Sequence, residues 1–139
     1  MAGRGFCYFG KGQVTMSLYD LKKIDFSFED SRGCLTQLVH EGYDQINVLK
    51  TNAGVLRGGH YHKISEEAFY VVSGSVEVEL KRSTETEKEK VNFKKGDFFE
   101  IHPNTVHSMF FPEDCLMVQM YDKPVEQADG SKDIYPEEI

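Results

Sequence analysis

Short apolar runs, separated by glycine, proline, asparagine and aspartate, dominate the pattern of hydrophobic and polar positions along the chain. The runs are rich in valine, phenylalanine, tyrosine and isoleucine, which pack well on a pleated surface. Strands at such short and even spacing are typical of antiparallel sandwiches and barrels. The pattern predicts strands over residues 34–39, 45–49, 67–73, 75–80, 87–93, 97–101, 106–111 and 115–121.

The segment VVSGSVEVEL is the clearest local case, because Ser73 and Gly74 separate two apolar runs and predict a tight turn. Beyond the turn, Val76, Val78 and Leu80 alternate with glutamates, so these three side chains are expected to face the core. The charged stretch KRSTETEKEK that follows predicts a solvated hairpin end.

Two segments give weaker signals. Residues 17–24 (SLYDLKKI) have the spacing for a helical turn or two, and no other segment predicts a convincing long helix. The acidic segment over residues 122–139 predicts a weakly structured tail, which wraps across the barrel or a partner subunit.

Length and charge limit the possible functions. The 139 residues fit one domain spanning 1–139, because single domains most often hold about 100–150 residues. A hydrophobic content of 40% is too high for a disordered chain. The net charge of −7 argues against nucleic acid as a partner, since a phosphate backbone is bound by a basic face.

The cysteines and the apolar runs bear on location. Cys7, Cys34 and Cys115 are odd in number and lack motif spacing, which favours three reduced thiols. The N-terminal residues contain no apolar core of signal-peptide length, and no apolar run approaches the roughly 20 residues of a membrane span. We therefore expect a soluble, cytoplasmic protein without a membrane partner.

A group of histidines and acids carries the candidate chemistry. His60 and His62 are two residues apart in an extended segment, so their side chains share a face. Glu67 begins the next strand with an inward parity that Glu66 lacks, and His107 enters from a neighbouring strand. Three imidazoles and one carboxylate suit Zn, Fe, Mn, Ni or Co.

These spacings resemble those of the cupin superfamily. The pattern G-x5-H-x-H-x4-E-x6-G, from Gly54 to Gly74, matches the first cupin motif without a gap. The resemblance implies an all-β fold, the cupin double-stranded β-helix or jelly-roll barrel. It also implies a divalent metal ion (Zn, Fe, Mn or Ni) whose ligands are His60, His62, Glu67 and His107.

The segment GDFFEIHPNTVH, from Gly96 to His107, resembles the second cupin motif with two departures. His102 stands where that motif usually has a proline, and Asn104 stands in its usual glycine position. Neither departure removes a ligand, but both alter the turn before His107.

A narrower resemblance extends over most of the chain. The elements D-x-RG (residues 30–33), Q-x-N (45–47) and GVLRG-x-HY (54–61) are similar to those of nucleotide-sugar 3,5-epimerases of the dTDP-4-keto-6-deoxyglucose type. Tyr121 lies where that family keeps its catalytic tyrosine. The segment RG-x-HYHK also resembles the metal-bearing cupin half of capsular-polysaccharide epimerase-reductases.

This resemblance implies roles for several side chains. Tyr121 would donate a proton, with a place in the core as the alternative. Arg32, Arg57 and Lys63 would pair with a diphosphate, since guanidinium forks match phosphate oxygens. The alternatives are a turn-stabilising ion pair with Asp30 for Arg32, and strand-end charges at the barrel rim for the other two.

The identity of the general base is a separate question. In the plain 3,5-epimerases the histidine of RG-x-HY serves as the base, and that site carries no metal. The corresponding His60 is here a predicted ligand, so another group must act as the base. Glu100 and His102, which share one face of the predicted strand 97–101 and its exit, are the candidates.

Three classes of function follow from these observations. The leading one is a metal-dependent isomerase or epimerase that acts on a keto-sugar, expected to be nucleotide-linked, in polysaccharide or glycoside biosynthesis. The alternatives are an Fe-dependent cupin dioxygenase, which would use the same ligands, and a non-catalytic sugar- or anion-binding module. A small-molecule substrate is the expected partner, and edge strands favour a homodimer.

Overall fold

The computed structural model describes residues 17–139 in full, together with the backbone of two N-terminal strands. The side chain of Cys7 therefore lies outside the described residues, whereas Cys34 and Cys115 are free thiols. The described residues form strands and no helix, so none of them belongs to a helix that could cross a membrane. The strands are β1 (Phe6–Phe9), β2 (Gln13–Met16), β3 (Tyr19–Leu21), β4 (Phe26–Asp30), β5 (Gly33–Gln37), β6 (Gln45–Thr51), β7 (Leu56–Tyr61), β8 (Glu67–Ser73), β9 (Ser75–Arg82), β10 (Lys88–Lys94), β11 (Phe98–Ile101), β12 (Thr105–Phe110), β13 (Cys115–Tyr121) and β14 (Tyr135–Pro136).

Two five-stranded antiparallel sheets form the barrel. The first has the order β10-β9-β12-β7-β14, and the second has the order β3-β11-β8-β13-β6. Most neighbours within a sheet are distant in sequence, so the chain passes repeatedly from one sheet to the other. Two hairpins, β1-β2 and β4-β5, form small sheets of their own. This topology confirms the predicted all-β cupin jelly roll.

The apolar core fills one end of the space between the sheets. Phe99 stacks on Phe93 and Phe69, with ring centroids 3.7 and 5.4 Å apart. Along β8 the inward residues are Glu67 and then the apolar Phe69 and Val71, which are buried. β13 runs the opposite way, so its inward polar residues lie beside the start of β8. The interior is therefore apolar at one end and polar at the other.

A second, smaller core lies on the outer face of the second sheet. Ala68, Phe98 and Met120 point outward from three adjacent strands and are buried. Residues of the segment that precedes β6, among them Ile24, Leu38 and Tyr43, pack against them. Both faces of this sheet are therefore covered, and polar side chains next to this outer core are buried as well.

Most of the predicted strands are confirmed. The strands over 67–73 and 115–121 have the predicted bounds, and the other six differ by one or two residues at one or both ends. Val76, Val78 and Leu80 are buried as predicted. The strands β4 and β7 were not predicted, because β4 has no buried face and β7 is interrupted by two glycines.

One prediction of local structure was wrong, and a second was correct in part. Residues 17–24 contain β3 rather than a helical turn, because β3 pairs with β11 and so long-range pairing outweighs a weak local preference. The C-terminal segment lies across its own barrel as predicted, but it is ordered there rather than weakly structured, since β14 pairs with β7. Glu137 in this segment also forms an ion pair with Lys81. Lys81 is buried, whereas the charged stretch that begins with it predicted a solvated position.

The turn after β8 gives a stability prediction. Gly74 has φ +84°, and a Cβ there would lie 2.2 Å from the carbonyl oxygen of Asp114. We expect Gly74→Ala to lower the free energy of unfolding by about 3 kcal/mol, through overpacking and a left-handed backbone. Gly96→Ala is the matched control, since Gly96 has φ +91° with nothing within 4 Å, and should cost about 1 kcal/mol. Urea denaturation of both variants measures the difference, and equal losses would contradict the role of Asp114.

Candidate functional site

Four side chains predicted as metal ligands converge at the polar end of the barrel. His60 lies on β7, Glu67 on β8 and His107 on β12, while His62 directly follows β7. His60 and His107 are paired across adjacent strands. One ligand atom from each of the four lies within 4.8 Å of every other, and three of the four residues are buried.

Glu67 is at the centre of this group. Its Oε1 lies 3.1 Å from Nε2 of His62 and 3.1 Å from Nε2 of His107. Its Oε2 accepts hydrogen bonds from Gln119 Nε2 at 2.7 Å and from the Tyr121 hydroxyl at 2.9 Å. The carboxylate is thus held in one orientation, with one oxygen directed at the histidines.

Backbone carbonyls orient two of the imidazoles. His62 Nδ1 lies 2.6 Å from the carbonyl oxygen of Asp133, and His107 Nδ1 lies 3.2 Å from that of Thr105. A carbonyl only accepts, so each Nδ1 carries the proton and donates it. Both Nε2 atoms are therefore directed into the cluster, as in histidines whose second nitrogen binds a metal.

The electrostatics favour, for His60 and Glu67, the deprotonated state that a metal ligand needs. Burial, followed by the charge of His107, lowers the pKa of His60 to about 4, so its imidazole is neutral at pH 7. Burial alone would raise the pKa of Glu67, but His107 and His62 outweigh it and hold that pKa well below its usual range. Glu67 likewise outweighs burial at His62 and raises its pKa, so a bound metal would displace a proton there.

The donor set and its spacing fit a divalent metal ion. Two ligand atoms bound to one metal at about 2.1 Å lie roughly 3.0–3.4 Å apart. The two Glu67–histidine distances of 3.1 Å fall in this range. Imidazole nitrogen with one carboxylate oxygen suits Zn, Fe, Mn or Ni.

Tyr121 also lies in this interior, with its hydroxyl on Glu67. Burial, followed by the charge of Glu67 and this hydrogen bond, raises the pKa of Tyr121 above its ordinary value. The phenol therefore stays protonated at neutral pH and is able to donate a proton.

The structure does not bring Glu100 and His102 to the interior. Because side chains alternate along a strand, Glu66 and Glu100 point to the outer face of the sheet whose inner face carries Glu67. There His102 Nδ1 lies 3.2 Å from Glu66 Oε1, and the Tyr43 hydroxyl lies 2.5 Å from Glu100 Oε2. The prediction that Glu100 or His102 lies beside the metal ligands and acts as the base was therefore wrong.

Burial, followed by the neighbouring Glu66, raises the pKa of Glu100 to about 7. Glu100, His102 and Asp20 form what we call the outer cluster.

The three cations predicted to bind a diphosphate lie in different surroundings. Arg32 is exposed in the β4-β5 turn and forms an ion pair with Asp30, as its alternative interpretation predicts. Arg57 donates a hydrogen bond to Thr51 Oγ1 across the open edge between β7 and β6, at 2.9 Å. Lys63 lies over the ring of Tyr135, with Nζ 4.2 Å from the centroid.

Two residues of this site were missed from the sequence. Gln119 orients Glu67 and in turn accepts a hydrogen bond from Asn47 Nδ2 at 2.9 Å. Its inward parity with Tyr121 on β13 would have indicated it. The buried carboxylate of Asp133 accepts hydrogen bonds from the backbone of residues 63–65, between two ligands. No local pattern in the tail indicates this contact.

The fold and the site together define the class: the protein is a cupin barrel with three histidines and one glutamate at its polar end. A family model described as the polysaccharide biosynthesis C-terminal domain matches residues 28–128. The chain belongs to this family. The comparison with curated proteins gave no significant match.

Solved structures share the fold. The capsular polysaccharide assembling protein CapF from Staphylococcus aureus aligns with TM-score 0.63 and 20% identity, over 82% of this chain and 32% of that chain, so this chain spans about a third of its length. QdtA, a sugar 3,4-ketoisomerase from Thermoanaerobacterium thermosaccharolyticum in complex with TDP, aligns with TM-score 0.67 and 20% identity, over 84% and 86% of the two chains. The dTDP-4-dehydrorhamnose 3,5-epimerase from Sulfolobus tokodaii aligns with TM-score 0.60 and 19% identity, over 85% and 74%.

Proposed function

We propose that this protein is a metal-dependent isomerase or epimerase that acts on a nucleotide-linked keto-sugar. The observation that carries the proposal is the interior site, in which Tyr121 and the four candidate ligands meet around Glu67. Proton transfer next to a ketone needs a base that removes the α-proton, stabilisation of the enolate oxygen, and an acid that returns a proton. The interior site contains groups suited to the second and third tasks, and the base is not assigned among the described residues.

The substrate class is supported by proteins of the same fold. QdtA has been solved with TDP, and a variant of it with TDP-4-keto-6-deoxyglucose. The 3,5-epimerase is named for a dTDP-linked keto-sugar, and the matching family is described by polysaccharide biosynthesis. A 4-keto sugar carried on a nucleoside diphosphate is therefore the substrate we propose.

Each interior residue has a defined task in this proposal. A divalent metal held by His60, His62, Glu67 and His107 would supply a Lewis acid for the carbonyl oxygen. Tyr121 donates its hydroxyl proton to the carbon or oxygen that faces it, and Glu67 keeps that hydroxyl in place. The apolar core that closes the other end of the barrel excludes water from that side.

The nucleotide would approach from the open edge of the barrel. β14 pairs with Tyr61 and His60, and Glu137 just beyond it donates a hydrogen bond to the carbonyl of Gly59, so Arg57 lies past the end of this pairing. A cavity of about 370 Å³ lies there, lined in part by Arg57, Gly58 and Gly59. The guanidinium of Arg57 is suited to phosphate oxygens.

Hydrogen exchange tests the proposed reaction. Incubation of the metal-loaded protein with TDP-4-keto-6-deoxyglucose in deuterium oxide should place deuterium beside the ketone, as detected by NMR and mass spectrometry. A moved ketone would identify an isomerase, and an inverted centre an epimerase. Oxygen uptake, or saturable TDP binding without exchange, would contradict the proposal and identify the dioxygenase or the binding module.

Tyr121→Phe is expected to lower the exchange rate by about 10²–10³-fold, the usual scale for a positioned acid. KM should change little, because the ring remains and only the hydroxyl is lost. Tyr61→Phe is the control, since that ring stacks beside Tyr135 rather than on Glu67. An unchanged rate in Tyr121→Phe would contradict the assigned task.

We also propose a homodimer, supported by exposed apolar residues on the second sheet and on the β4-β5 hairpin. Ile46 and Val48 on the edge strand β6 are 59% and 75% exposed, and Phe28 on β4 is 55% exposed. Edge strands with apolar residues are commonly covered by a second subunit. Light scattering should report twice the chain mass of 15.9 kDa, and Val48→Lys should shift the protein towards the monomer.

A further inference from the structure

The outer cluster is a group of potential metal ligands on the opposite face of the sheet from the interior site. Asp20 on β3 and Glu100 on β11 are Cα partners, and they are 6% and 7% exposed. The side chain of His102, just beyond β11, is 9% exposed. One ligand atom from each of the three lies within 4.8 Å of the other two.

His102 provides an independent sign of a bound ligand. Its Nδ1 faces Glu66 Oε1 at 3.2 Å, and a carboxylate only accepts, so Nδ1 carries the proton. Its Nε2 is buried and makes no hydrogen bond within the described part of the chain. This Nε2 lies 3.3 Å from Asp20 Oδ1 without hydrogen-bond geometry, and a metal cation between the two atoms would satisfy both in exchange for any proton on Nε2.

We propose that Asp20, Glu100 and His102 form a second divalent-cation site, distinct from the interior one. The 3.3 Å separation between Nε2 and Oδ1 falls in the range of about 3.0–3.4 Å expected for two ligands of one metal. Two carboxylates with one imidazole suit Mn²⁺ or Zn²⁺, because the imidazole disfavours the harder Mg²⁺ and Ca²⁺.

The surroundings of the outer cluster allow a cation to reach it. A cavity of about 580 Å³, lined by Tyr43, Glu66 and Glu100 among others, opens beside the cluster. The Tyr43 hydroxyl donates to Glu100 Oε2, and Glu100 Oε1 faces Lys22. Lys22 Nζ is 3.8 Å from that Oε1 and 27% exposed, so it is able to move into solvent.

Such a cation would join the edge strand β3 to β11. Three Cα pairs connect these strands, and the cation would add a cross-link at the middle pair, between Asp20 and Glu100. Glu100 pairs with Ala68, the neighbour of Glu67, so Glu100 and Glu67 point to opposite faces of the sheet and the two sites share no ligand. Metal binding at each site is therefore separable by mutation.

The proposal is tested by titrating the metal-free protein with Mn²⁺. The loss of the EPR signal of free Mn²⁺ measures how much metal is bound. We expect two equivalents bound by the wild-type chain, one by Glu67→Gln, one by Glu100→Gln and none by the double variant. In the Glu67→Gln background, Mn²⁺ should raise the Tm, and Asp20→Asn should remove that rise. The Asp20→Asn variant also covers the case that Glu100→Gln fails to fold.

The result that would overturn the proposal is a Glu67→Gln variant that folds and binds no Mn²⁺, or whose bound Mn²⁺ is unaffected by Asp20→Asn. Failure of the interior site has a different signature. The wild-type chain would then bind one equivalent, which Glu67→Gln would retain and Asp20→Asn would lose.

Discussion

Glu67→Gln is expected to reduce metal affinity by at least about 100-fold at the interior site and to abolish measurable isomerase or epimerase activity. Loss of an indirect partner of a ligand already costs about 10–100-fold, and Glu67 supplies the one anionic oxygen in the set. The amide is neutral, and its NH₂ group would face either the two imidazoles or the donors Gln119 and Tyr121. Elemental analysis of dialysed protein and the deuterium-exchange rate are the two measurements.

The matched control is Glu77→Gln, an exposed glutamate on β9. It removes the same charge from the chain without touching the interior, so metal content and exchange rate should equal those of the wild type. If Glu67→Gln keeps a full equivalent of interior metal at wild-type affinity, the assignment of Glu67 as a ligand is wrong. If it keeps the metal and loses only activity, its hydrogen bond to Tyr121 is the important contact.

Asp133→Ala is expected to lower the free energy of unfolding by about 2–4 kcal/mol, although Asp133 lies in an acidic tail. Its carboxylate is buried and accepts N–H bonds from Lys63, Ile64 and Ser65 at 2.9–3.0 Å. Removing the acceptor leaves these three N–H donors without their partner. A fully buried donor without a partner costs about 1–3 kcal/mol. Asp133→Asn should cost less, because one amide oxygen still accepts.

Denaturant unfolding of these variants against Asp129→Ala measures the effect. Asp129 is an exposed residue of the same tail whose carboxylate accepts hydrogen bonds from the nearby Ser131, so its loss should cost less than about 0.5 kcal/mol. Similar losses for Asp133→Ala and Asp129→Ala would contradict the role of the buried carboxylate.

The pH dependence of the Asp133 variants follows from the same contacts. Burial would raise the pKa of Asp133, but the three N–H donors outweigh it and lower that pKa below 3.8. A lowered folded-state pKa gives stability that is present above the unfolded-state value and lost as pH falls through the folded one. The gap between wild type and Asp133→Ala should therefore be full at pH 7 and shrink below about pH 4.

Much of the barrel was predictable because strand propensity and alternation are local. The strands 67–73 and 115–121 have the predicted bounds, since each combines β-branched and aromatic residues with a clear turn on one side. β3 was not predictable, because three residues carry little local preference and form a strand only by pairing with β11. The tail was underestimated for the same reason, since its order comes from contacts with residues about 70 positions away.

The sequence by itself determined the all-β class, the inward parity of Glu67, and the pairing of His60 with His62 on one face. These follow from a two-residue period and motif spacing, which need no knowledge of the partner strands. Only the tertiary structure decided which side of the sheet each acid occupies. It placed Gln119 on Glu67, closed the loop between the ligands with Asp133, and gathered Asp20, Glu100 and His102 into the outer cluster. These contacts join residues far apart in the chain, so no local pattern records them.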